Sequence, residues 1–163
     1  MANSKKIEGE FTPTPEEVEK KKDKTLMYYG ANDACVVLMG IFRVVEVNEG
    51  ITREMRNLLD GAVMSLRNLK DAFQRKMTGS RETMDPQKLI GVAETLKKLA
   101  RDENFLAAVE AESAKEGQRK RPNLPAEENI IENKQDMVQL LEKVVNVFNQ
   151  CALDNYSPDS KKH

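Results

Sequence analysis

"ACVVLMGIF", residues 34–42, runs nine residues without a polar side chain in a chain of 163 that is 33% charged. Whether it is a strand, a membrane span, a buried helix or a subunit contact decides the fold. The β-branched residues in and around it (Val36, Val37, Ile41, Val44, Val45, Val47) suit a strand, as does the break at Gly40. Against that, Cys35, Leu38, Met39, Phe42 and Val45 recur at helical spacing. Residues 32–48 are also long for one strand, and no Asn-Gly or Asp-Gly pair marks a hairpin. The spacing favours a helix, capped at Asn32 or Asp33 and closed by Gly50. With so little polar surface it needs cover on most sides, as the centre of a bundle or as a subunit contact. The apolar run ends at Arg43, short of the roughly 18 consecutive apolar residues of a transmembrane helix. A bilayer is the least expected answer.

Upstream, residues 1–13 are polar and read as a flexible arm. Thr14-Pro15-Glu16-Glu17 reads as a helix start, with Thr14 as N-cap, Pro15 at the first helical position and Glu17 placed for a capping box. The spacing leaves open whether this helix stops at Gly30 or continues.

Downstream the pattern sharpens. Met55, Leu59, Ala62, Leu66, Leu69 and Phe73 alternate in steps of four and three, close to a coiled-coil seam over 52–78, and Gly79 is placed to end it. Asp85-Pro86 restarts a helix whose Leu89, Val92, Leu96 and Leu99 form a second seam. Asp102-Glu103-Asn104 interrupts that seam. Phe105, Leu106 and Val109 continue it, in a bent helix or a new short one. Two seams joined by a short loop predict an antiparallel helical hairpin over 52–115. Residues 116–125, with two prolines, read as a loop. A last helix to about Asp154 carries Met137, Leu140, Leu141, Val144, Val145, Phe148 and Cys151, and 155–163 is a polar tail. The expectation is therefore all-α: one domain over 14–154, a bundle of four or five helices built around the hairpin.

Catalytic chemistry is sparse. The single histidine is the terminal His163, so a Ser-His or Cys-His nucleophile pair has no positioned imidazole. Cys35 and Cys151 are too far apart for a zinc-ligand spacing, and neither GxxxxGK[ST] nor GxGxxG occurs. Glu94 and Glu110 flank apolar stripes, where charges ordinarily mark a solvated edge. No enzyme, cofactor or metal is expected. "MANSKKIEGEFTPTP" lacks the apolar core of a signal peptide, so reduced thiols and a cytoplasmic setting are the expectation.

Seams, surplus apolar positions and eight methionines point to a non-catalytic interaction or oligomerising module, most simply a homodimer that also holds another protein. Its candidate contacts are Val37 and Ile41 on the first apolar helix and Met55, Leu59, Leu66, Leu69 and Phe73 on the seam. The alternative is nucleic-acid binding or packaging. Net charge is only −1, but residues 52–81 hold seven bases and three acids. Arg53, Arg56, Arg67 and Lys70 are the candidate phosphate contacts there, with Arg119, Lys120 and Arg121 in the loop.

Overall fold

The computed structural model describes residues 14–117 and 131–156. Among them are five helices and no strand: α1 (Pro15–Glu46), α2 (Arg53–Met77), α3 (Pro86–Leu99), α4 (Glu103–Gly117) and α5 (Lys134–Asn155). The all-α expectation holds. The arm 1–13, the basic cluster Arg119-Lys120-Arg121 and the tail from residue 157 lie outside the described residues.

The stretch 34–42 is helical, but as the second half of the 32-residue α1 rather than as a helix of its own. Pro15 opens α1, as the sequence predicts, and the Val18 N–H donates to the Thr14 carbonyl at 3.0 Å. Neither Gly30 nor Asn32 ends it. A glycine inside a helix costs about 1 kcal/mol relative to alanine. Burial outweighs that: Tyr28, Ala31, Cys35, Leu38, Phe42 and Val45 are all buried, and a large apolar side chain contributes about 1.5–3 kcal/mol when fully covered. Asn32 caps nothing in mid-helix, and its Oδ1 is buried without a hydrogen-bond partner.

The later boundaries follow their local chemistry. Thr52 Oγ1 accepts the Met55 N–H at 3.1 Å and caps α2. Gly79 takes φ +95° just past Thr78, the αL position that favours glycine. Asp85 caps α3 by accepting the Gln87 N–H at 2.9 Å, with Pro86 as the first helical residue. The interruption at 102–104 is a true helix start: Asp102 Oδ1 accepts the Phe105 N–H at 2.9 Å and begins α4. Asn133 does the same for α5 through the Asp136 N–H.

Packing corrects one expectation. The extensive antiparallel pairs are α1 with α2 and α3 with α5, whereas α2 and α3 touch only slightly. Tyr28 at the near end of α1 packs against Phe73 at the far end of α2, with ring centroids 6.1 Å apart. Phe73 in turn meets Phe148 of α5 at 5.7 Å, and Phe42 meets Phe105 of α4 edge-on at 5.7 Å. The seam of α2 faces α1 because α1 offers the longer matching stripe, stepping three and four from Tyr28 to Val45. The predicted α2–α3 hairpin is thus replaced by an open cleft of about 960 Å³, with Gly61, Ser65 and Asn68 on one wall and Lys88, Gly91 and Thr95 on the other.

Polar side chains pin the two ends of this arrangement. Asn104 of α4 accepts the Thr52 N–H at 3.1 Å and donates to the Gly50 carbonyl at 2.7 Å, fixing the α1–α2 turn. Asn48 in the same turn donates to Glu112 at 2.7 Å. At the opposite end, buried Asn155 accepts the Met84 N–H at 2.8 Å and donates to Tyr28 Oη and the Cys151 carbonyl. One side chain there ties α5 to α1 and to the α2–α3 connection.

Leu66 is fully buried at 0% exposure, so Leu66→Ala is expected to cost about 2–5 kcal/mol through lost burial and a cavity. Asn155→Ala leaves the Met84 N–H unpaired and is expected to cost about 1–3 kcal/mol. Urea unfolding followed by circular dichroism measures both. Equal, negligible losses would contradict this core.

Candidate interaction surfaces

The structure divides the candidate contact residues. Met55, Leu59, Leu66, Leu69 and Phe73 are all buried within the chain's own core, at 6% exposure or less. Buried there, they are not available to a second copy without unfolding, which corrects the expectation that the 52–78 seam forms a subunit contact. Val37 and Ile41 are half-buried on the flank of α1.

Most of the large apolar side chains left exposed lie instead on or just past α1, with Met64 and Leu153 exposed elsewhere. Leu26 is 60% exposed, Tyr29 47%, Val36 49% and Val47, just past the last turn, 77%. With Asp33, Gly40 and Arg43, which are also exposed, these residues step in threes and fours from 26 to 47. A helix repeats its faces at that spacing, so they form one stripe opposite the buried one. Among these, Val36 was visible from the sequence as lying off the main stripe. The stripe as a whole was not, because its upper half lies beyond Gly30, where the helix had no assured continuation. By length and composition, Lys22–Glu46 also suits a bilayer crossing. Its inner stripe is instead packed by three helices of the same chain.

The basic candidates do not form one row. Arg56 Nε donates to the Glu46 carbonyl at 3.0 Å, closing the C-terminus of α1. Arg53 is exposed in the first turn of α2. Arg67 and Lys70 line a hollow of about 380 Å³ together with Arg43 of α1, which sequence reasoning did not single out, and with Asp71. Glu94 pairs with Lys97 at 3.2 Å, and Glu110 accepts the Lys134 N–H at 3.2 Å. Both act as ordinary helix-edge groups.

Both cysteines and Glu46 are among the groups whose titration is shifted. Burial pushes the Cys35 and Cys151 thiols up to about 12, and neither is in a disulfide. Glu46 is raised, first by burial and then by the neighbouring Asp60 carboxyl, against the lowering effect of Arg43 and Arg56. Its Oε1 is buried with no hydrogen-bond partner, which adds to the cost of carrying charge there. Among the described residues no three His, Cys, Asp or Glu side chains converge on a metal-sized site. Comparison with family models, with curated proteins and with solved structures gives no match.

Thiols this protonated and this buried react slowly. At pH 8 a colourless thiol reagent is expected to label neither cysteine in the folded chain and both after unfolding. Prompt labelling of either one would contradict the packing at α1 and α5.

The Glu46 carboxyl holds its proton more tightly when folded than when unfolded. Its stabilising contribution is therefore present below the ordinary carboxylate range and is lost as pH rises through the raised value. Glu46→Gln mimics the protonated form, so it is expected to match wild type near about pH 4 and to melt higher than wild type at pH 7. Melting-temperature differences that do not change with pH would contradict the carboxyl pair.

Proposed function

We propose that the chain is a non-catalytic helical interaction module that associates with itself through the outer face of α1, most simply as a dimer. One observation carries this: opposite its buried stripe, the longest helix leaves Leu26, Tyr29 and Val36 exposed on one face, with Val47 just past its end. Contiguous apolar surface on a soluble monomer is rarely left large. A second copy covers it at no cost in additional chains, and closed two-fold pairs are the commonest such solution. The absence of a positioned imidazole or a converging ligand set among the described residues supports a binding role over turnover.

A second reading, contact with a polyanion, is favoured by the Arg43, Arg67 and Lys70 hollow, which joins cations from two helices. Asp71 in the same hollow and Asp60 beside Glu46 interrupt it, and Arg56 is engaged by the backbone. Duplex affinity that falls steeply with salt, and is lost in Arg67→Glu with Lys70→Glu, would promote it.

Sedimentation equilibrium tests the main proposal. The expected result is a mass of two chains, falling to one in Val36→Glu while the thermal melt stays within a few degrees of wild type, because position 36 is a surface site in the single chain. A wild-type mass of one chain throughout an accessible range of about 1–500 μM would overturn it.

A further inference from the structure

We propose that two copies of α1 pair antiparallel about a two-fold axis level with Leu38, so that Asp33 of each copy faces Arg43 of the other. This rests on the self-association proposed above and specifies its geometry.

The outer stripe of α1 carries one acid and one base inside its apolar positions. Asp33 and Arg43 are both exposed, and among the described residues neither makes a hydrogen bond or an ion pair within the chain. In an antiparallel helix pair each stripe position meets one position of the other helix, and the helical repeat allows only a few registers. Asp33 opposite Tyr29 gives the carboxylate no cation. Asp33 opposite Val36 sets it against an apolar side chain, and it also sets Arg43 on Leu26. Arg43 opposite Gly40 gives the guanidinium no acid from the second copy. Only Asp33 opposite Arg43 neutralises both charges, and two-fold symmetry makes the pair twice. Charges taken into a contact without a partner keep their desolvation cost, so this register is favoured over the others.

The same register explains Gly40. A Cβ built there meets nothing within 4 Å, so the fold of the single chain does not require a glycine. A mid-helix glycine is nonetheless an unfavourable residue, and close backbone approach is its usual use. In this register Val36 of the second copy lies opposite Gly40, and Tyr29 lies opposite Val47. A branched side chain meets a position with none, twice, on either side of the axis.

The test is a charge exchange on the intact chain. Asp33→Arg alone sets Arg against Arg43, and Arg43→Asp alone sets Asp against Asp33. Each variant by itself is expected to dissociate at least about tenfold more readily than wild type in sedimentation equilibrium, through like-charge repulsion. Mixed in equal amounts, the two are expected to recover a two-chain species near wild-type strength, since each Arg then meets an Asp. Circular dichroism melts of the separate variants show that both are folded, and a merely structural role for either residue gives no recovery on mixing. Dimers that persist unchanged in the single variants, or variants that stay single-chain when mixed, overturn this register and leave self-association standing. A wild type that stays single-chain, including one that instead sediments with lipid vesicles, overturns both.

Discussion

The burial of one stripe of α1 is the constraint on which the rest of the structure depends. Tyr28, Ala31, Cys35, Leu38, Phe42 and Val45 follow a strict three-four spacing, and three other helices are arranged so that each covers part of it. α2 takes its length, α4 takes the end at Phe42 through Phe105, and α5 takes the end at Tyr28 through Phe148 by way of Phe73. A helix of this length passing through Gly30 and Gly40 is not held by its own propensity. Tertiary packing holds it, as is usual for helices in proteins. The polar struts then choose among packings of similar area. Asn104 binds the backbone of the α1–α2 turn, and Asn155 binds the backbone ahead of α3. Asn155 satisfies a buried N–H that would otherwise be unpaired, so sliding α5 past its neighbours has a discrete penalty rather than a gradual one.

Much of this was legible before any coordinates. The cap at Asp85, the proline starts at Pro15 and Pro86 and the stop at Gly79 are local devices, decided within a few residues, and they stand where the spacing put them. The helical nature of 34–42 was also legible, from the positions of Cys35, Leu38 and Phe42. Two things were not. The continuity of α1 depends on whether distant packing repays two glycines, which no local signal reveals. The pairing of seams is equally non-local: a three-four stripe says that a helix needs a partner, never which one. A short loop joining the stripes on α2 and α3 points to a hairpin, but the longer stripe of α1 takes most of the α2 seam.

The candidate surface turned on the continuity of α1. Val36, Val37, Ile41 and Val44 stood out as surplus apolar positions, and Val36 is indeed exposed. Ile41 and Val37 are partly covered instead. Leu26, Tyr29 and Val47 join Val36 in one stripe only once the helix is seen to run from Pro15 to Glu46. The basic stripe failed for a different reason. Charge counted along a sequence ignores what each guanidinium already touches, and Arg56 closes the end of α1. Arg43, read only as the end of an apolar run, was the cation that geometry places beside Arg67 and Lys70.

The central claim is that α1 is one unbroken, cooperatively held helix that serves as the spine of the bundle. Native-state hydrogen exchange of its backbone amides tests this most directly. The structure predicts that amides from Tyr28 to Val45, those of Gly30 and Gly40 included, exchange only in the global unfolding reaction and share its denaturant dependence. A segment on one side of Gly30 or Gly40 that opens separately, with its own lower free energy, would contradict it.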